Sequence, residues 1–155
     1  MTRTMTGFDG IEGVREFSND AAIRAAFDLI RQLRPRLADA EQWLSAYKRQ
    51  AASGYRVLLA VNDDIPRALA GFRLQENLIH GRFLYVDDLV TDATLRSAGL
   101  GKQLLEALMG VARDSQCDHL VLDTALANHD AQRFYARCGM TNLATRFVKP
   151  VGDHS

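Results

Sequence analysis

The stretch Arg96-Ser97-Ala98-Gly99-Leu100-Gly101-Lys102 lies between a predicted β-strand and a segment with the periodicity of an amphipathic helix. The first turn of a helix has backbone N–H groups without intrahelical partners, at the positive end of the helix dipole. Glycines at this position let a phosphate approach the backbone closely. The stretch therefore indicates a site for a diphosphate at the start of a helix. The alternative is a tight strand-to-helix turn in which the glycines serve only the backbone.

Two well-known phosphate motifs do not fit this loop. A Walker loop requires glycine at the position of Arg96 and serine or threonine after Lys102, where Gln103 stands. The dinucleotide fingerprint fails because Leu104 occupies the position of its third glycine. The loop therefore belongs to neither of these two nucleotide-binding classes.

Periodicity on both sides of the loop predicts alternating strands and helices. Upstream, apolar segments at residues 55–61, 68–76 and 82–91 are separated by short turns, which predicts an antiparallel meander. Downstream, a helix over residues 99–113 leads to an apolar strand at residues 119–123, and this order predicts a parallel crossover. The predicted fold is α/β, with one mixed sheet.

The two ends of the chain add further elements. They are a strand at 13–17, a helix from the polar Ser18-Asn19-Asp20 to Pro35, a helix capped by Asp39 and ended by Ser53-Gly54, a helix at 129–137 ended by Gly139, and closing strand material at 141–148. No repeat or linker interrupts the chain. One domain over residues 1–155 is therefore predicted, with helices on both faces of the sheet.

Composition narrows the functional class. Nineteen basic residues balance nineteen acidic ones, so net charge does not favour nucleic acid or an anionic membrane as a partner. The sequence has no apolar run long enough to cross a bilayer. Residues 1–10 lack the apolar centre of a secretory signal and are predicted to be a flexible, polar lead-in. A cytoplasmic protein with no membrane partner is expected.

Cysteine and histidine do not predict a metal site. Cys117 and Cys138 are expected to be free thiols, packed as small buried side chains, because neither lies in a motif with a partner base. The histidines show no metal-binding spacing; they are His80, His119, His129 and His154. No metal is expected.

Three segments in order resemble the GCN5-related N-acetyltransferase (GNAT) family. The family's pyrophosphate loop, Gln/Arg-x-x-Gly-x-Gly/Ala, is matched by Arg96, Gly99 and Gly101. The strand before the loop, residues 83–91, and the later Asn128-x-x-Ala131-x-x-Phe134-Tyr135-x-x-x-Gly139-Met140 are similar to the family's neighbouring segments. The resemblance covers about residues 55–148 and is weakest over the first two helices.

The resemblance implies a mixed, mostly antiparallel sheet of about six to seven strands, with a splayed parallel pair around the cofactor. It implies that residues 11–54 form a variable substrate-side part and that residues 55–150 form the sheet and the acetyl-CoA-binding core. It also implies acetyl-CoA as the acetyl donor. A homodimer is common among such proteins, and no feature of this sequence establishes or excludes one.

The same resemblance assigns cofactor contacts. Backbone groups of Leu89, Val90 and Thr91 are expected to pair with the pantetheine arm, which fills the gap between the splayed strands. Backbone amides of residues 97–102, Ser97, Ala98, Gly99, Leu100, Gly101 and Lys102, are expected to hold the diphosphate. Arg96 and Lys102 either offer their side chains to a phosphate or are solvated. Asn128 is expected to cap the last helix, to present its amide to the cofactor, or to do both. The other expected cofactor contacts are Ala131, Phe134 and Tyr135.

Catalysis needs a base for the ammonium and an acid for the departing thiolate. Tyr135 aligns with the family's tyrosine that faces the cofactor sulfur, which makes it the expected acid; the alternative is an ordinary core aromatic. Asp87 and Asp88 are the candidate bases, because aspartate is depleted in strands and two interrupt an apolar segment here. Asp87 is slightly preferred. Side-chain alternation places the two carboxylates on opposite faces of the strand, and a bulge would change their directions. The alternative is that both are solvated acidic residues without a catalytic role.

Together these features predict direct transfer of an acetyl group from acetyl-CoA to a primary amine, most simply that of a small molecule. Two alternatives stay open: an acetyltransferase for protein N-termini or lysines, which needs a groove for a peptide, and a non-catalytic acyl-CoA sensor. The sequence does not identify the acceptor amine, and it does not distinguish an acetyl from a longer acyl donor.

Overall fold

A computed structural model of the protein describes residue 8 and residues 10–96 and 98–152. Its elements in chain order are β1 (Gly13–Phe17), α1 (Asp20–Ala25), α2 (Phe27–Leu33), α3 (Ala40–Ala51), β2 (Arg56–Asn62), β3 (Ile65–Asn77), β4 (Gly81–Thr91), a short 3-10 helix (Ala93–Leu95), α4 (Leu100–Asp114), β5 (His119–Leu122) and α5 (His129–Arg137). They fall into two compact units. Met1–Asp123 holds the sheet and α1 to α4, and Thr124–Ser155 holds α5. One domain over residues 1–155 stays a prediction.

The sheet has the order β1-β2-β3-β4-β5. Neighbours from β1 to β4 are antiparallel, and β4 and β5 are parallel. The hairpin between β2 and β3 turns at Asp63 and Asp64, both of which have positive φ, as a tight two-residue hairpin requires. The predicted meander, the parallel crossover and the mixed, mostly antiparallel sheet are confirmed.

Helices cover both faces of the sheet. The helices α1 to α3 form one buried cluster with inward-facing strand residues that include Val57, Leu59 and Leu69. The intervening residues, such as Leu58 and Ala70, are buried as well. Because side chains alternate across a strand, they lie on the opposite face. There α4 contacts every strand and supplies buried leucines, Leu104, Leu105 and Leu108.

Two predicted elements differ from the structure. The helix expected from Asn19 to Pro35 is divided into α1 and α2 at Ala26, where ψ is −1° and the N–H is shared between the carbonyl oxygens of Ala22 and Ile23, which is a local 3-10-type turn. Residues 141–148 contain no strand, and Leu143, Phe147 and Val148 are exposed. A strand needs a hydrogen-bonding neighbour, and the described residues offer this segment none. The described chain therefore has five strands, fewer than the six to seven predicted.

The parallel pair is short. Its register runs from Phe83 opposite His119 to Val86 opposite Leu122. Beyond this point β4 continues over residues 87–91, and in the described part of the chain residues 88–91 pair with β3 alone, while Asp87 pairs with neither strand. One edge of β4 is therefore left without a strand neighbour just before the glycine loop.

Gly99 and Gly110 provide a test of the loop geometry. Gly99 caps α4 with φ of +81°, whereas Gly110 lies inside α4, and a Cβ at either position meets open space. Gly99→Ala should therefore lower the free energy of unfolding by about 1 kcal/mol through backbone strain alone. Gly110→Ala should raise it by about 1 kcal/mol through helix propensity. Denaturant unfolding measures both, and a Gly99→Ala variant as stable as the wild type would show that the left-handed cap is wrong.

Candidate active site

A β-bulge interrupts β4 at the aspartate pair. Gly71 of β3 lies opposite Asp88 and the next residue, Phe72, lies opposite Val86, so Asp87 is an additional residue without a direct partner in β3. A bulge breaks the alternation of side chains and changes the direction of the bulged residue. It explains why two aspartates occur in succession inside an apolar strand.

Both carboxylates reach one hydrogen-bonded network, although strict alternation would separate them. Tyr55 donates its hydroxyl to Oδ2 of Asp88 at 2.7 Å. Arg73 donates Nε to Oδ2 of Asp87 at 3.2 Å, and its guanidinium lies over the Tyr55 ring, 5.4 Å from the centroid. Since Tyr55 belongs to the core cluster with α1 to α3, the network lies on that side of the sheet.

Arg34, at the end of α2, binds both residues of the bulge. Its Nε donates to Oδ1 of Asp88 at 2.8 Å, and its Nη2 donates to the carbonyl oxygen of Asp87 at 2.9 Å. Asp88 therefore has a donor on each carboxylate oxygen, and only 14% of its side chain is exposed. Such charge-assisted hydrogen bonds fix the orientation of the carboxylate.

Asp87 has the properties of a base. Burial raises the pKa of its carboxyl, and the neighbouring charge of Asp88 adds to this, while Arg73 and Arg34 oppose it. The side chain is 23% exposed, and among the described residues only Arg73 donates to the carboxylate. A carboxylate with a raised pKa and an open oxygen can accept a proton from a nearby group.

The start of α4 carries the glycine loop. Ser97 lies outside the described residues, and the N–H of Ala98 donates to the carbonyl oxygen of Leu95 at 3.0 Å. The first hydrogen bond of the helix joins the N–H of Gln103 to the carbonyl oxygen of Gly99 at 3.1 Å. Gly99 is the N-cap residue, and it offers no side chain to the N–H groups of the first turn. The backbone N–H groups before that of Gln103 therefore have no partner inside the helix; they are those of Leu100, Gly101 and Lys102. Among the described residues they have no acceptor and can bind an anion, whereas the Ala98 amide is already used.

The remaining predicted contacts belong to the second unit. The side-chain oxygen of Asn128 accepts the N–H of Ala131 at 3.1 Å, so Asn128 does cap α5. Ala131, Phe134 and Tyr135 follow on α5, and the rings of Phe134 and Tyr135 lie 5.4 Å apart. Burial raises the pKa of the Tyr135 phenol. The phenol therefore stays protonated at neutral pH and can act as a donor.

The hydrogen-bond partners of the two aspartates are not predicted by the sequence. Along the chain, Asp88 lies 33 residues from Tyr55 and 54 residues from Arg34, and Asp87 lies 14 residues from Arg73. No local sequence pattern marks these partners. Tyr85, next to the bulge, donates its hydroxyl to Asp123, which follows β5. The only signal in the sequence was the unusual aspartate pair itself, which needs cationic or hydroxyl partners when it is partly buried.

The thiols differ from the prediction. Cys138 is exposed and Cys117 is intermediate, so the prediction that both thiols are buried is wrong. Residues 8, 10–96 and 98–152 contain no group of three or more side chains that could hold a metal ion. No helix among them has both the length and the apolar character needed to span a bilayer.

The two aspartates should differ in their contribution to stability. Folding raises the pKa of Asp87, so the ionised carboxylate costs stability above that pKa, and Asp87→Asn should leave the protein at least as stable at pH 7. Asp88→Asn weakens two charge-assisted bonds and should lower the free energy of unfolding by about 1 to 3 kcal/mol. Chemical denaturation at pH 7 compares them, and equal destabilisation by both substitutions would contradict the assignment.

Comparisons with known proteins agree with this geometry. Residues 18–140 match the model of the Acetyltransferase (GNAT) family. An uncharacterized N-acetyltransferase, YhdJ, of Bacillus subtilis is 32% identical over 128 residues, which cover 81% of this chain and 89% of the relative. Glucosamine 6-phosphate N-acetyltransferase 1 of Oryza sativa is 31% identical over 123 residues, 75% of this chain and 73% of the relative.

Solved structures share the fold. The aminoglycoside N-acetyltransferase AAC(6')-Iy in complex with CoA superposes with a TM-score of 0.79 at 17% identity, covering 90% of this chain and 93% of that chain. The family uses acetyl-CoA, and amine acceptors are typical of it. The extent of the family match and of the relative from Bacillus subtilis shows that this chain belongs to the GNAT family of acetyltransferases.

Proposed function

We propose that this protein transfers the acetyl group of acetyl-CoA directly to a primary amine of a small molecule, with Asp87 as the general base. The observation that carries the proposal is the bulge in β4, because it combines a carboxylate of raised pKa with a free strand edge. Relatives named for acetylation of glucosamine 6-phosphate, together with the structural similarity to an aminoglycoside N-acetyltransferase, support a small-molecule acceptor.

The start of α4 fits the diphosphate of acetyl-CoA. The N–H groups of Leu100, Gly101 and Lys102 point out of the helix end with the positive pole of its dipole behind them. Gly99 leaves open space where a side chain would stand. The side chains of Arg96 and Lys102 and the residue Ser97 are further proposed contacts.

The free edge of β4 fits the pantetheine arm. Residues 87–91 have no β5 neighbour in the described chain, so backbone groups of Leu89, Val90 and Thr91 can pair with amides of an extended ligand. From the second unit, Asn128, Ala131 and Phe134 are proposed as additional contacts. Acetyl-CoA supplies the thioester that is cleaved.

The proposed reaction assigns two of its proton transfers to side chains. Asp87 accepts a proton from the acceptor ammonium, directly or through water, and the neutral amine then attacks the thioester carbonyl carbon. The new C–N bond forms as the C–S bond breaks. Tyr135 donates its phenolic proton to the departing thiolate, which gives the coenzyme A thiol. The nitrogen of the new amide releases its remaining extra proton to solvent, and the Tyr135 phenolate regains a proton from solvent.

Direct transfer is favoured over a covalent acyl-enzyme. In the residues that the structure describes, neither Cys117 nor Cys138 has a side-chain hydrogen bond to a base that could activate its thiol. Incubation with acetyl-CoA alone should therefore leave no acetylated protein by mass spectrometry, and the kinetics should be sequential.

An amine panel tests the proposed function. Purified protein and acetyl-CoA are mixed with an amino sugar phosphate, an aminoglycoside, a polyamine and a peptide, and coenzyme A thiol release is measured. The expected result is release that depends on one of the small amines. Release with the peptide alone would favour a protein acetyltransferase. Cofactor binding by calorimetry with no release for any amine would favour a sensor.

Tyr135→Phe tests the proposed acid. The variant should lose turnover by about 10- to 100-fold, because the thiolate then departs without a proton donor. The dissociation constant for acetyl-CoA, measured by calorimetry, should stay within about twofold, since the ring is kept. Wild-type turnover across the whole pH range would remove Tyr135 from the reaction.

A further inference from the structure

Tyr55 crosses one face of the sheet to reach the bulge. It lies just before β2, is 3% exposed, and passes over Gly71 of β3. A Cβ built on Gly71 would stand 2.0 Å from the Tyr55 hydroxyl oxygen and 2.5 Å from Cζ. Glycine at position 71 is therefore what allows the phenol to lie against the sheet and donate to Asp88 at 2.7 Å.

Tyr55 also supports the partner of Asp87. The guanidinium of Arg73 rests on the Tyr55 ring, and its Nη2 donates to Oε1 of Gln50 in α3 at 2.5 Å. Arg73 reaches Asp87 with its Nε. One buried side chain thus orients both carboxylates, one through its hydroxyl and the other through the cation on its ring.

Arg34 completes the support by binding the second carboxylate oxygen of Asp88. It is the one described side chain that donates both to the Asp88 carboxylate and to the Asp87 backbone. A bulge has no ladder partner for its extra residue, so the direction of that residue depends on such side contacts. Without them, Asp88 is free to compete with Asp87 for Arg73.

We propose that Tyr55 and Arg34 are positioning residues: by holding Asp88 at the bulge, they direct the Asp87 carboxylate toward the acceptor amine. This proposal rests on the function proposed above. Neither residue exchanges a proton with the substrate. Tyr55 acts through Asp88 and Arg73, and Arg34 acts through Asp88 and the Asp87 backbone. Together they occupy both oxygens of Asp88, so that among the described residues only Asp87 has a carboxylate oxygen without a donor.

Tyr55→Phe tests the proposal with Tyr47→Phe as its matched control. Tyr47 is a second buried phenol, its ring 6.2 Å from that of Tyr55, and among the described residues it has no hydrogen bond to either aspartate. Loss of the Tyr55 hydroxyl should lower kcat by about tenfold, since misplacement of a reacting group is costly. The KM for acetyl-CoA should be unchanged, and Tyr47→Phe should retain wild-type kcat.

Arg34→Lys and Arg34→Met form a second pair. Lysine keeps the charge without the two-point contact, so Arg34→Lys should recover part of the kcat that Arg34→Met loses. Thermal unfolding of each variant gives the folded fraction, and kcat is corrected for it. The proposal is overturned if Tyr55→Phe matches Tyr47→Phe in kcat, or if both Arg34 variants turn over like the wild type.

Asp87→Asn separates failure of this proposal from failure of the proposed function. If Asp87→Asn retains wild-type turnover, Asp87 is not the base, so the base assignment and the positioning role both fall, while acetyl transfer itself stands. If Asp87→Asn is inactive while Tyr55→Phe and Arg34→Met are fully active, the base stands and the positioning role is wrong. If kcat falls in Asp87→Asn, Tyr55→Phe and Arg34→Met, and Arg34→Lys is intermediate, the base assignment and the positioning role are both supported.

Discussion

The hydrogen bonds that Tyr55 and Arg34 donate to Asp88 hold the bulge of β4 in place, and the proposed site is arranged around that bulge. A partly buried carboxylate is costly unless it is paired and hydrogen-bonded. Asp88 meets both conditions, and Asp87 meets them less completely. The protein therefore contains two adjacent carboxylates with different environments, one fixed by its partners and one left able to accept a proton.

The same strand links the proposed base to the proposed cofactor end of the site. From the bulge, β4 runs on with a free edge over residues 87–91 and leads into the glycine loop at the start of α4. Among the described residues, Leu89 to Thr91 have no strand neighbour on one side, and the first N–H groups of α4 have no acceptor inside the helix. This suits a long ligand that has amides in its arm and a diphosphate at its other end. The positions of these groups follow from the chain path, and little depends on individual side chains.

Local patterns predicted the parts of the molecule that depend on local physics. Glycine spacing located the start of α4, and apolar alternation located β2 to β5, because these features are set by neighbouring residues. The strand expected at residues 141–148 failed, since periodicity does not show whether a pairing partner exists. The aspartate pair stood out in the sequence, but its register with Gly71 did not. Tyr55 and Arg34 meet it only in the folded chain, across 33 and 54 residues.

The pH dependence of kcat/KM in Asp88→Asn tests the different roles of the two aspartates most directly. In the wild type, burial and then the charge of Asp88 raise the pKa of Asp87, so activity should fall as the pH drops through this raised value. Removal of the neighbouring charge lowers the pKa of Asp87. The account predicts a slower enzyme whose acid limb lies at lower pH than that of the wild type. An acid limb that stays at the wild-type pH or moves to higher pH would show that the charge of Asp88 does not raise the pKa of the base, and would contradict it.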